Sequence, residues 1–490
     1  MKIRSLRSFA VLLTVSSLIC GLLVCSSGSD KIPVTTSSEE ALKLYLQGRD
    51  LWEKLRHHEA YEYLEKAIAI DPSFALAYND FGYCQPTAKG YFAMVEKAVS
   101  LSENVNVSEG ERLIILGHQA AIHADPARQK EYYLRLVELY PKDEWAHNIL
   151  GGHYFSQRQY AEAVEQYKEA IRINDKFTSP YNQLGYAYRF LGEYEKAEKA
   201  FRKYIELIPD NPNPYDSYAE LLMKMGNYGE SIESYHKALE LDPNFTASHM
   251  GIACNLNFLG KHKDARDQLE EFFDVALDDR QRREALYAMA ISYVDEGKPG
   301  EALKQLERQY RIAERADDPA RMAEDLNTMG YVLIDDENYE AAKAKFEAAI
   351  KLTEESNLAK EIKENYRRVS INNLARVAVK MQDFAAARVD LAEYRKRAES
   401  MNNPRLIAEA HELAGIIALE EKQYDQALEE LAQASQYEPG NIYRTALAYL
   451  GKGDKDKAGE WLEKLVKYNA LNDLSYALYR GRGKELLESL

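Results

Sequence analysis

A 34-residue register runs through the middle of this chain, and it restricts the fold more than any other feature. Its clearest copy is Thr178–Asn211. Tyr181, Leu184, Gly185 and Tyr188 recur at i, i+3, i+4 and i+7, the apolar face of a helix. Gly192 follows, a residue that tolerates the left-handed conformation past a helix C-terminus. Glu193–Leu207 then carries Ala197, Phe201 and Tyr204 on one face. Pro209 closes the unit, because it cannot continue a helical ladder and drives its predecessor out of the helical region. The unit is a helix–turn–helix, and small residues at Gly185 and Ala197 let its two antiparallel helices approach closely.

The same register starts again at Glu144, Pro212 and Thr246. Position 20 is Ala163, Ala197, Ser231 and Ala265; position 24 is Tyr167, Phe201, Tyr235 and Leu269. The turn residues Gly192, Gly226 and Gly260 fall at equal steps. Chance does not keep register over such distances. An aromatic at 4, Leu at 7, Gly at 8, Tyr at 11, Ala at 20, Phe at 24 and Pro at 32 in Thr178–Asn211 together resemble the tetratricopeptide repeat. The resemblance implies an all-α, right-handed superhelical solenoid of about twelve helix–turn–helix pairs, whose units contact mainly their neighbours. It also implies an interaction scaffold that binds a protein or extended peptide in its concave groove.

Five segments follow along the chain. Residues 1–27 read as an export signal: Lys2, Arg4 and Arg7 precede the apolar run Phe9–Val24, which is shorter than the roughly 20 residues of a bilayer span. Residues 28–40 form a Ser/Thr-rich tether. Residues 41–279 are the 34-residue array, degenerate at 84–141, where Cys84-Gln85-Pro86 interrupts a repeat and Met94 and Gln129 replace alanine. Residues 283–472 hold longer repeats, with starts near Arg283, Ala323, Arg368 and Ala408. Their extra residues, Asp317–Met322 and Asn357–Arg367, are expected after the second helix, and a change of superhelical pitch is expected near residue 280. Residues 473–490 are expected to be a capping helix that covers the last apolar face.

Leu22–Ser27 around Cys25 resembles a bacterial lipoprotein signal, although Val24 stands where that family takes Gly, Ala or Ser. Two destinations stay open: a lipid anchor at Cys25, or plain secretion. Either places the protein in the periplasm or outer cell envelope.

Removal of residues 1–27 takes away three positive charges and moves the formal charge from −16 to −19. Nucleic acid demands a basic footprint, so that partner class is excluded, as is docking on anionic lipid through protein charge. Any membrane contact is through the N-terminal lipid anchor. Cys84 and Cys254 lie 170 residues apart along a solenoid and are not expected to form a disulfide. The pairs His118/His123 and His147/His153 miss the i, i+4 spacing of a shared helix face, and no HExxH occurs. Nor do GxxxxGK[ST], GxGxxG or GxSxG. The reading is therefore no catalytic residue, no metal and no cofactor. Most of the 35 tyrosines sit at core positions of the repeat.

Within the family, positions 2, 5, 9 and 12 of the first helix face the groove. Position 5 is Asn79, Asn148, Asn182, Asn327 and Asn372. An asparagine amide can bond both polar groups of a peptide backbone; alternatively these amides bond the neighbouring repeat. The related ladder in peptide-binding members sits one position later. Trp145, Phe155, Tyr186, Arg189 and Tyr331 complete the expected partner surface, with Asp216, Glu220, Met223, Met250, Tyr287 and Arg376 beside them. The family's clamp for acidic C-terminal peptides needs Lys at position 5 and Asn at position 9, a set missing here. The second functional reading is an assembly or secretion accessory of the cell envelope. A third, an enzyme or a carbohydrate-binding module, has no motif behind it.

Overall fold

The computed structural model describes residues 30–54, 56–85, 88–123 and 125–490; residues 1–27, read above as an export signal, and with them Cys25, lie outside the described residues. Among the described residues there are 25 helices and no strand. Two compact units are present: the described residues up to Gln119 with Glu138–Lys142, and Ala120–Val137 with Asp143–Leu490.

In chain order the first unit contains α1 (Glu39–Glu53), α2 (His57–Ile70), α3 (Ala75–Tyr83) and α4 (Ala88–Asn104), and α5 (Glu109–Ile122) and α6 (Pro126–Leu139) follow. The second unit continues with short pairs: α7 (Glu144–Ser156), α8 (Tyr160–Ile173), α9 (Ser179–Phe190), α10 (Tyr194–Leu207), α11 (Pro212–Lys224), α12 (Tyr228–Leu241), α13 (Thr246–Phe258) and α14 (His262–Val275). Longer helices come next: α15 (Asp279–Asp295), α16 (Pro299–Arg315), α17 (Pro319–Asp335), α18 (Tyr339–Glu355), α19 (Lys360–Lys380), α20 (Phe384–Ser400) and α21 (Pro404–Glu420). The chain closes with α22 (Tyr424–Gln433), α23 (Pro439–Gly451), α24 (Lys455–Val466) and α25 (Leu474–Glu488).

A glycine-to-aromatic lock sets the distance between the helices of a pair. A Cβ at Gly185 would stand 2.6 Å from the Phe201 ring; at Gly151, 2.5 Å from Tyr167; at Gly330, 2.4 Å from Phe346. Each ring is fully buried. Only hydrogen at position 8 leaves room for the position-24 ring, because apolar carbons settle at about 3.5–4.0 Å.

Helix ends follow local chemistry. Ser38, Asp143 and Asp278 cap α1, α7 and α15 by accepting from the amide three residues on. Gly192, Gly226 and Gly260 take φ of +76°, +85° and +74° between the helices of their pairs. Elsewhere the same turn is made without glycine: Arg158, Glu337, Gln382 and Lys422 adopt φ of 58° to 63°.

The extra residues of the longer repeats follow the second helix, which ends at Arg315 in one repeat and Glu355 in the next, and most of them lengthen the first helix that comes after. Pro319–Met322 and Lys360–Arg367 are the opening turns of α17 and α19, and α15 to α18 have 17 residues each. In α15/α16 and α17/α18 both members of the pair lengthen and stay matched in extent, whereas α21 with 17 residues is followed by α22 with 10.

From α8 to α25 every helix packs on its predecessor. The first helices of successive pairs also touch one another, α7 on α9, α9 on α11, α11 on α13 and α13 on α15, and again α19 on α21 and α21 on α23. These helices therefore line the inner side of the stack.

Candidate interaction surface on the first helices

In the first unit Asn79 is fully buried, and its Nδ2 donates to Asp80 Oδ1 at 2.9 Å. Its Oδ1 lies 2.9 Å from His118 Nδ1. This amide serves its own fold and is not available to a partner. Tyr45 donates to the same buried Asp80 at 2.8 Å.

In the second unit Asn148 donates from Nδ2 to Ser179 Oγ on the next first helix, at 3.3 Å. Asn327 accepts from Asn373 Nδ2 at 3.1 Å, and Asn372 accepts from Arg376 Nε at 2.7 Å. Asn148 and Asn327 thus bond the neighbouring repeat. Asn148 Oδ1 and Asn182 Oδ1 are buried acceptors with no hydrogen-bond partner.

The remaining expected groove residues are mostly engaged. Tyr186 donates to Ser217 Oγ at 3.3 Å, and the Arg189 guanidinium lies 4.7 Å from the centre of the Tyr186 ring. Arg189 pairs with Glu220 at 2.7 Å, both side chains about 15% exposed. Phe155 meets Tyr160 and Phe190, which stack on each other at 4.7 Å. Tyr331 donates to Asn373 and meets Phe346 edge-on. Trp145 remains half-buried on α7, near Asn148 in sequence and one turn of helix from it.

Asn373 and Ser217 were missed by position 5 alone. Both occupy position 6 of their repeats, the place where the related peptide-binding ladder sits, so the signal was present in the sequence.

Burial sets the electrostatics of this face. It pushes the Asp216 carboxyl well above the usual range, Glu220 adds to the effect, and Ser248 Oγ donates to it at 2.8 Å. Burial lowers Lys224 to about 8, with Arg189 contributing, and raises Glu438 to about 7, with Glu412 and Asp473 contributing. Glu412 holds Arg376 at 2.9 Å and Arg444 at 3.0 Å. Among the described residues no three His, Cys, Asp or Glu side chains gather as a metal-ligand set, and no helix is long and apolar enough to cross a membrane.

Part of the inner face is already occupied. α25 covers α24, with Leu465 against Gly483, and it also packs on α15 and α23. Arg480 Nε donates to Asp295 Oδ1 at 2.9 Å, and Arg482 pairs with Asp335 at 2.8 Å. Just before α25, Lys224 donates to the Tyr468 carbonyl, and Tyr228 donates to Asn469 Oδ1 at 2.8 Å. The Asn472 amide donates to Cys254 Sγ at 3.2 Å. Cys254 is free, and its burial raises the thiol to about 12.

Comparison with known proteins agrees with this geometry. Tetratricopeptide-repeat models match residues 44–74, 178–211 and 442–470, then 219–245 and 372–440, and a TPR-repeat model matches 151–189. The chain is a tetratricopeptide-repeat protein. Among solved structures, a tetratricopeptide repeat protein from Parabacteroides merdae is 17% identical over 54% of this chain and 99% of its own, with TM-score 0.38. MamA from Desulfovibrio magneticus is 14% identical over 34% of this chain and 95% of its own, with TM-score 0.30. YrrB, described as a TPR protein with an unusual peptide-binding site, is 18% identical over 37% and 91%, with TM-score 0.27. No curated protein matches the chain.

Proposed function

We propose that this protein is an exported interaction scaffold that holds a protein or peptide partner on the inner face of α7 and α9. One observation carries the reading. Asn148 Oδ1 and Asn182 Oδ1 repeat at the same register position on adjacent first helices, and neither reaches a donor. A buried acceptor without a partner costs about 1–3 kcal/mol, and backbone N–H groups of an incoming segment would satisfy both once the two amides turn toward the groove. Trp145 beside them offers an aromatic anchor, a residue type that often dominates binding energy. The basic–apolar start of the chain and Cys25 support export, with envelope anchoring if Cys25 is lipidated. An envelope assembly or secretion accessory is the same scaffold with its partner in the envelope.

The test is a photo-crosslinking residue in place of Trp145, in the full chain in its native envelope, with the outer-face residue Lys203 as control. A discrete crosslinked species is expected at 145 and not at 203. Asn148→Ala with Asn182→Ala should abolish it while lowering stability in urea by no more than the single Asn148–Ser179 bond contributes, about 1 kcal/mol. The same products at both sites, or a midpoint that collapses with the asparagines, would overturn the reading. Mass spectrometry of the mature N-terminus decides the anchor: a diacylated Cys25 supports it, and an unmodified start at Ser27 or later rules it out.

A further inference from the structure

A helix whose only task is to cap α24 needs one apolar face. α25 uses Tyr476 for this, packed with Ile442 and Leu465. It carries a second set of contacts to helices more than a hundred residues upstream. Leu474 joins the cluster of Ala290, Ala302, Leu306, Met329 and Val332. Tyr476 meets Phe258 at 5.8 Å, and Arg480 lies over the Phe258 ring at 5.2 Å while donating to the Asn257 carbonyl at 3.3 Å. Arg480 and Arg482 meet Asp295 on α15 and Asp335 on α17. The Asp295 side chain is 4% exposed and is also held by His262 Nε2 at 2.9 Å. The link between α24 and α25 contains two left-handed residues, Asn469 at φ +46° and Asn472 at φ +44°.

We infer that α25 is a built-in, displaceable ligand: the inner face of α13, α15 and α17 is a helix-receiving groove, and its partner is a basic amphipathic helix that takes the place of α25. The inference rests on the scaffold reading but uses a different stretch of the inner face from α7 and α9. Charge argues for the partner's chemistry. The groove presents Asp295 and Asp335 on successive first helices, and the chain has a formal charge of −16. The resident helix answers with an apolar residue at Leu474 and arginines six and eight positions later. Its hold is graded. The Arg482–Asp335 pair is the more exposed of the two, with side chains 48% and 24% exposed, and solvent screening weakens such a pair. The Arg480–Asp295 contact is the buried anchor. Tethering gives α25 an effective concentration on the order of millimolar, so a free helix competes weakly until the tethered one is loosened.

The experiment uses a fluorescent peptide of residues 468–490 and two full-length proteins, unaltered and Arg480→Glu/Arg482→Glu. The charge-reversed protein should bind the peptide at least tenfold more tightly than the unaltered one. A peptide carrying the same two substitutions should bind neither. Hydrogen exchange of the unaltered protein provides the second measurement and does not depend on how the variant folds. The α25 amides should exchange together, faster than those of α23 and α24. Equal weak binding to both proteins, or α25 exchange as slow as that of α24, would show a permanent cap and overturn the inference. Crosslinking at Trp145 is independent of either result.

Discussion

The glycine-to-aromatic lock makes one substitution stabilising or destabilising according to its place. The same glycine-to-ring fit recurs between neighbouring repeats: at Gly251, position 6 of its repeat on α13, an added Cβ would stand 2.1 Å from Cζ of Tyr235 on α12 of the preceding repeat, and 2.4 and 2.5 Å from the flanking ring carbons. Tyr235 is fully buried and cannot swing away. Contact carbons prefer about 3.5–4.0 Å, so the overlap exceeds 1 Å and α13 must move away from α12 of the preceding repeat. Overpacking of this kind costs about 1–3 kcal/mol, and alanine returns up to about 1 kcal/mol of helix propensity. Gly251→Ala should therefore destabilise by about 1–2 kcal/mol. Gly152 lies in α7 with nothing within 4 Å of its Cβ position. There the propensity gain stands alone, and Gly152→Ala should stabilise by about 0.5–1 kcal/mol. Urea denaturation of the full chain, followed by aromatic fluorescence, reads both. Hydrogen exchange localises the change, since repeat arrays need not unfold as one unit. Tyr235→Leu should relieve Gly251→Ala, so that the double variant is less damaged than the sum of the singles. The same sign at both glycines, or strict additivity with Tyr235→Leu, would refute the lock.

Three further outcomes are expected. Arg283→Ala leaves Asp325 uncompensated, a carboxyl already raised to about 6 by burial despite the Arg283 charge; loss of one buried partner should cost about 3–5 kcal/mol in urea melts, and Arg283→Met/Asp325→Leu should cost much less. Burial lowers His118 and His153 from 6.5 to about 4, with Lys130 adding at His153. The unfolded chain therefore binds these protons first, so their contribution is whole above pH 6.5 and is lost as pH falls toward 4; His118→Gln/His153→Gln should flatten the midpoint's dependence across that window. Replacing the left-handed turn residues Glu337 or Lys422 by glycine should raise the unfolding free energy measured in urea, each by about 1 kcal/mol.

Much of the fold was legible because its rules are short in range. The lock joins position 8 to position 24 of one repeat, and the turn lies between them, so Gly185, Gly192, Ala197 and Phe201 declare the unit within about twenty residues. The site was less legible. Position 5 pointed to a row of asparagines, but Asn79 turned inward to His118 and Asp80, and Asn327 turned sideways to Asn373, because each amide bonds whichever polar group the adjoining repeat supplies.

The sequence alone thus determined the helix–turn–helix unit, its repetition and the acidic, motif-poor character of the chain. Tertiary structure decided which groove positions remain open. Cys254, Asn257, Asp295 and Asp335 meet Asn472, Arg480 and Arg482 only because small rotations per repeat accumulate until the C-terminal segment lies against helices far upstream. No local pattern records that sum. Thr178–Asn211 therefore announces the architecture, whereas the placement of α25 depends on every repeat between α13 and α24.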